Sequence, residues 1–422
     1  MTVEELFMKR KNDPQWNTSY PLSPKDWASV RVDRSMSFKE DKELSFYVHI
    51  PFCKQCCSFC EYTRMICPNE QLQATYLETL RKDIGLFKKV HSDFILRGFD
   101  IGGGTPTSIS EDNFNRLMDI YDEALEGLVL SDDFEPSIEG TFQTLSESKL
   151  MRMSLSKIHR LSLGLQSTNN VVLGRHHREG VELAEMARRI EKAWSVGVCK
   201  INLDLMYGLQ GQNRETINND LKIIAELRPQ QVTLYELRTN MIRYKDLPAK
   251  DVLFEQYSMY YEGLVSLGYH ACFGQNTFSL DEHDCGVSSY LRSRMLHGVS
   301  YKGFGLSAQS MSSEGVSYNV GKSSHNLKEL ILLDSYHEEF TYILPKQELA
   351  AKYIAIAAYN GSFSLNRVNT ILDTDARKHF HDALDFALSH GYMMEDLEGR
   401  IRITNKGFKH YGAIFSLFYA PN

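Results

Sequence analysis

From residue 45 to residue 236, short apolar runs alternate with stretches of helical period. The runs lie near 45–50, 95–101, 135–139, 159–164, 200–205 and 231–236. Between them, Leu72 to Val90, Glu182 to Val196 and Arg214 to Leu227 read as helices. Six strand–helix units of this kind predict an α/β fold with a parallel sheet. Parallel sheets present their functional residues at the C-terminal ends of the strands. Cys53, Gly104, Glu139, Gln166, Asp204 and the segment Glu236 to Arg238 all fall at or near such ends, so they could surround one cleft.

The pattern changes after residue 320. Leu349 to Tyr359, Asp373 to His390 and Asn405 to Leu417 read as helices, and Met393 to Ile403 as a hairpin turning at Glu398-Gly399. Helices followed by a hairpin predict a C-terminal, mainly helical, winged-helix-like domain. The expected division is an N-terminal extension over 1–40, the strand–helix core over 41–320 and the winged-helix-like cap over 321–422.

Composition narrows the classes. The chain has 422 residues, 42% of them hydrophobic and 24% charged, with a net charge of −7. That acidity, and the acidic hairpin tip, argue against nucleic acid as partner and favour a lid or substrate cap. No run reaches the ~18 apolar residues of a membrane span, so no membrane partner is expected. Eight cysteines without an export signal point to a reducing cytoplasm.

The chemistry lies behind the first apolar run, Phe46-Tyr-Val-His-Ile-Pro51, in Cys53-Lys-Gln-Cys-Cys57-Ser-Phe-Cys60. A disulfide framework belongs to small secreted domains, which this chain is not. Zinc also accepts thiolates, but its sites usually pair two knuckles, and no second knuckle is visible. Three thiols at C-x3-C-x2-C spacing can hold three irons of a [4Fe–4S] cluster and leave the fourth open to a small molecule. Cys56 could replace Cys57; the aromatic Phe59 before Cys60 favours the 53/57/60 register. The next unit ends in Gly102-Gly-Gly-Thr-Pro106, where glycines allow close approach and offer N–H donors.

These motifs resemble the radical S-adenosylmethionine (SAM) superfamily, and more narrowly the HemN-like family of oxygen-independent coproporphyrinogen III oxidase. The resemblance continues through Ser137-Ile-Glu139-Gly, Arg160-Leu-Ser-Leu-Gly-Leu-Gln166, Asn202-Leu-Asp204-Leu-Met-Tyr-Gly-Leu209 and Gly303-Phe-Gly-Leu-Ser-Ala308. It implies an open (β/α)6 partial TIM barrel whose cofactors are a [4Fe–4S] cluster on Cys53, Cys57 and Cys60, and SAM. His49 would sit beside the cluster, and Tyr47 and Phe59 would wall the nucleoside. Gly103, Gly104 and Thr105 would hold the methionyl end. Glu139, Gln166, Arg178, Asp204 and Met206 match further SAM contacts, with Asp204 suited to ribose. Reductive cleavage would yield a 5′-deoxyadenosyl radical.

The chain departs from the oxidases in two respects. Their extra cysteine, two residues after the last ligand, is Tyr62 here. The segment Thr233-Leu-Tyr-Glu236-Leu-Arg238 also differs from theirs. Both point to the methyltransferase and cyclopropanase branch, in which a second SAM gives a methyl or methylene carbon to an unsaturated or heteroaromatic substrate. Tyr62, Glu236 and Arg238 are then candidates for acting on that substrate, and Gly303 to Gln309 resembles the segment near the second SAM. The alternative is tetrapyrrole chemistry: porphyrinogen oxidation, anaerobic haem degradation or haem trafficking. A small-molecule substrate and a flavodoxin or ferredoxin as electron donor are the expected partners. The sequence assigns no role to Cys56, Cys67, Cys199, Cys272 or Cys285.

Overall fold

A computed structural model describes residues 1–13, 20–238, 246–322 and 326–419. Six strands, β1 (Glu43–Ile50), β2 (Ile95–Gly103), β3 (Ser137–Gly140), β4 (Arg160–Gln166), β5 (Lys200–Tyr207) and β6 (Gln231–Glu236), pair in parallel in chain order. Each overlaps one of the six expected runs. The barrel is open. β6 is flanked by antiparallel Thr277–Ser279 and β1 by parallel Ser300–Phe304, so the two ends of the barrel never meet.

The strands are buried on both faces, as parallel strands under helices must be. Phe46, for example, packs outward against Phe87 of the helix Glu70–Val90. Pair register and the two-residue side-chain period define the inner face. Tyr47 lies opposite Asp100 and Asp100 opposite Ser137; Glu139 lies opposite Ser162, and Gly164 opposite Asp204. Along these otherwise buried strands, Tyr47, Asp100, Gly164, Asp204 and Tyr235 are part-exposed and Glu139 is exposed. An exposed side chain in the middle of a two-sided sheet means an open lumen. Its floor is closed by Arg160, which donates to Gln231 Oε1 at 2.8 Å and to Ser137 Oγ at 2.7 Å and so spans β3 to β6.

Beyond Ser300–Phe304 the sheet continues as an antiparallel meander, Gln309–Ser312, Gly315–Asn319 and Glu338–Ile343, with Arg31–Val32 at its edge. The sheet therefore runs past the expected boundary at 320. The expected N-terminal extension is also not separate. Helix Val3–Arg10, held by a Thr2/Glu5 capping box, lays Phe7 against Phe386, Tyr392 and His410 of the tail.

The tail is mainly helical with a small antiparallel sheet, and its hairpin pairs Met393 with Ile403 as expected. The single helix expected over 373–390 is corrected. Helix Leu365–Leu372 ends at Asp373, whose φ of 56° is left-handed. Asp375 then caps a short turn, and a further helix spans His381–Ser389. Side-chain caps outcompete helical period here. Among the described residues, no helix is long and apolar enough to cross a membrane.

Candidate active site at the barrel mouth

β1 delivers the cysteine loop to the rim of the lumen. The loop closes on itself: Phe52–Cys53 pairs with Met65–Ile66, and Met65 N donates to Pro51 O at 2.7 Å. Arg64 fixes its interior, donating to Cys57 O and Cys60 O, each at 2.7 Å. Cys57 is buried and receives Arg178 Nη1 at 3.5 Å on its sulfur, whereas Cys56 is exposed. Burial pushes the Cys53 thiol up to about 11 and raises that of Cys60. Such thiols keep their protons until a metal displaces them. Among the described residues no three His, Cys, Asp or Glu side chains close on a single ion. What the three thiols share is one pinned loop.

His49 anchors the far side of that loop. Its Nε2 reaches Thr63 O at 2.8 Å, and a carbonyl only accepts, so the proton sits on Nε2. Nδ1 then accepts from Tyr47 OH at 3.2 Å. Burial lowers the imidazole to about 4, which keeps it neutral.

The glycine run is required by crowding. A Cβ at Gly102 would stand 2.7 Å from the Glu139 carboxyl carbon, and one at Gly103, whose φ is +119°, 2.8 Å from the His49 ring. At Gly104 it would meet Phe52 O at 2.7 Å and Cys53 Sγ at 3.0 Å. One expectation is corrected: these N–H groups are not free donors. Gly103 N binds Glu139 Oε2 at 3.1 Å, Gly104 N binds Ile50 O at 2.8 Å and Thr105 N binds Phe52 O at 2.8 Å. The run locks β2 to the cysteine loop. Gly104→Ala is therefore expected to displace Cys53 and leave reconstituted protein short of iron, as read by iron per chain; full iron loading would show that the loop tolerates the shift.

Two acids, Glu139 and Asp204, stand near enough on the lumen wall for the charge of one to act on the other. Asp204 accepts from Asn202 Nδ2 at 2.8 Å and Ser162 Oγ at 3.1 Å. Enclosure by protein, and then the charge of Asp204, push Glu139 up to about 8; burial raises Asp204 to about 6. A pair of like acids held in one cavity suits a cationic ligand, because a positive charge relieves both desolvation and repulsion. SAM carries a sulfonium and an ammonium, so this donor set fits it as the thiols fit a cluster.

The remaining candidates gather around the same rim. Phe59 and Met206 join Val172, Leu209, Leu237 and Tyr235 in an apolar shelf. Gln166 sits at a bulge with a left-handed φ of 70°, a strain more common at functional sites than elsewhere. Arg178 also donates to Gly164 O, tying β4 to Cys57. Tyr62, at the loop tip, is 57% exposed. Glu236 and Arg238 stand at the seam with the tail. Glu236 accepts from Tyr207 OH at 3.2 Å, while Arg238 reaches Glu61 at 3.5 Å and covers the Tyr359 ring at 4.6 Å.

Sequence reasoning gave no role to Arg64, Arg160 or His176. His176 receives Gln210 N at 3.1 Å and bonds Ser58 Oγ at 3.0 Å, so it ties the cysteine loop to the loop after β5. No spacing rule marks these residues, because their partners are distant in sequence.

Comparison with known proteins agrees with this geometry. Residues 47–224, β1 through the helix before β6, match the model of the radical SAM superfamily. The chain is 26% identical to the heme chaperone HemW of Lactococcus lactis over 89% of its own length and 97% of that protein. It is 27% identical to the oxygen-independent coproporphyrinogen III oxidase of Salmonella typhimurium, over 72% of this chain and 69% of that one. Its fold superposes on the coproporphyrinogen III oxidase HemN of Escherichia coli with a TM-score of 0.73 at 23% identity, covering 90% of each chain. With the thiol loop, the glycine run and the two acids at one barrel mouth, residues 47–224 form a radical SAM domain, and the chain around it is HemN-like in sequence and fold.

Proposed function

We propose that this chain is a tetrapyrrole-binding radical SAM protein that takes haem or a porphyrinogen at the barrel mouth, beneath the C-terminal cap. The observation that carries the reading is the reach of the similarity. It covers 89% of this chain and so extends past residue 224 and the sheet extension into the tail, in a match to a heme chaperone, and a second relative is a coproporphyrinogen oxidase.

The cofactors of the family, a [4Fe–4S] cluster and SAM, supply one-electron reductive cleavage of the sulfonium. This chain's residues prepare the place. Cys53, Cys57 and Cys60 would hold the cluster as thiolates. Neutral His49 and Arg64 would keep the thiol loop in shape. Gly103, Gly104 and Thr105 would lie along the methionyl end, Glu139 and Asp204 would take the cationic and ribose groups, and Gln166 and Arg178 would complete the polar rim. Tyr47, Phe59 and Met206 would give the nucleoside its apolar surface. Such walls exclude water, which a radical site requires. The setting we propose is cytoplasmic, with a flavodoxin or ferredoxin as donor.

One observation favours a second reading. Tyr62 stands where the oxidases have a cysteine, which suits transfer of a methyl or methylene carbon from a second SAM. Neither relative described above is a methyltransferase by name. Anaerobic incubation of reconstituted protein with SAM and either haem or coproporphyrinogen III separates the two. Tetrapyrrole binding, with 5′-deoxyadenosine formed and no S-adenosylhomocysteine, is the expected result. Absence of tetrapyrrole binding, with S-adenosylhomocysteine formed on another unsaturated substrate, would overturn it.

A further inference from the structure

Beside the lumen lies a cation that forms no ion pair among the described residues. Helix Ser289–Leu296 packs across β1 and β2. It comes so close that a Cβ on Gly98 would stand 2.2 Å from Tyr290 N. Tyr290 stacks on Tyr47, centroids 5.8 Å apart and planes 27° apart, so the helix borders the proposed nucleoside wall. One turn on, Arg294 Nη1 donates to Tyr290 OH at 3.3 Å, and its guanidinium lies 4.5 Å from the centre of the Tyr301 ring. Its Nε is buried with no hydrogen-bond partner.

No acid pairs with Arg294 among the described residues. Asp100, the acid within its electrostatic reach, accepts from Ser288 Oγ at 2.6 Å through Oδ2 and keeps Oδ1 without a hydrogen-bond partner, yet it forms no ion pair with the guanidinium. Lys352 also lies within that reach, with Lys322 beyond it, and both are cationic types. The wall behind the guanidinium is rigid: Tyr301 OH donates to Gln309 Oε1 at 2.5 Å, and Gln309 Nε2 to Tyr318 OH at 2.7 Å. An enclosed guanidinium without an anion is costly. The side chain is part-exposed, and a guanidinium is the group that binds a carboxylate in two-point fashion.

We propose that Arg294 anchors a carboxylate of the substrate, held against the Tyr290–Tyr301 wall next to the SAM lumen. The identity of that substrate as a tetrapyrrole acid rests on the function proposed above; the carboxylate anchor does not.

The test compares wild type with Arg294→Gln, both anaerobically reconstituted and matched for iron content. Affinities are measured for coproporphyrin III, for its tetramethyl ester and for SAM. A lost charge-assisted pair should weaken binding of the free acid by about ten- to hundredfold. Binding of the ester and of SAM should be unchanged. Equal losses for acid and ester would make Arg294 structural and overturn the proposal. Loss of SAM affinity alone would assign the carboxylate to the methionyl end and overturn it too. If wild type binds neither porphyrin, the tetrapyrrole reading falls, and the anchor is judged on benzoate. Wild-type benzoate binding that Arg294→Gln abolishes sustains the anchor; unchanged or absent benzoate binding overturns it.

Discussion

Alanine at Cys53, Cys57 or Cys60 is expected to leave anaerobically reconstituted protein without a [4Fe–4S] cluster, while Cys56→Ala keeps it. The reason is the direction in which the loop turns each thiol. Cys57 is buried and bound by Arg178, and Cys56 points to solvent. Arg64 holds the carbonyls of Cys57 and Cys60 and so sets the backbone that fixes this choice. With Cys53, Cys57 and Cys60 as the proposed ligands, each loss removes one iron's anchor. Arg64→Met should weaken iron retention by about ten- to hundredfold, the usual cost of losing a partner behind the ligands. Iron and sulfide per chain are the measurement. A cluster that survives Cys57→Ala and is lost in Cys56→Ala would reverse the register, and stoichiometric zinc with no iron uptake would reject the cluster.

Glu139→Gln and Asp204→Asn are expected to weaken SAM binding about ten- to hundredfold each, since a buried charge-assisted hydrogen bond contributes ~1.5–3 kcal/mol. The same changes should not destabilise the ligand-free protein. Glu139 is raised from 4.5 to about 8 by enclosure and by Asp204. Its native state therefore prefers the proton, and the unfolded chain gives that proton up from about pH 4.5. The carboxyl's contribution to stability is complete below that pH and is lost as pH climbs to about 8. An amide at this position cannot ionise, so the melting temperature of Glu139→Gln should gain on wild type across that window and match it near pH 4.5. The lumen is open to solvent, which moderates the gain. Unchanged SAM affinity in both variants, or a variant less stable than wild type at about pH 8, would mean that the acids serve the fold and not a ligand. A residue whose removal stabilises the empty protein and harms binding is one kept for function.

The sequence by itself determined whatever depends on neighbours along the chain. Apolar period marked all six barrel strands, C-x3-C-x2-C spacing marked the thiol loop, and Glu398-Gly399 marked the hairpin turn, because each signal is written within a few residues. Tertiary structure decided the rest. Asp373 and Asp375 broke a helix that periodicity alone would continue, and Phe7 found its partners some 380 residues away. The glycine run is rich in N–H groups, but strand pairing and Glu139 consume them. Arg160 closes the floor, Arg64 shapes the loop and His176 ties two loops together, each through atoms that no spacing rule brings near. Arg294 is the clearest case. The sequence assigned it no role, and only the register of Ser300–Phe304 against β1 places Tyr301 beside its guanidinium. Period and spacing are local properties of a chain; the partner of a charge is settled only when strands from distant segments come into register.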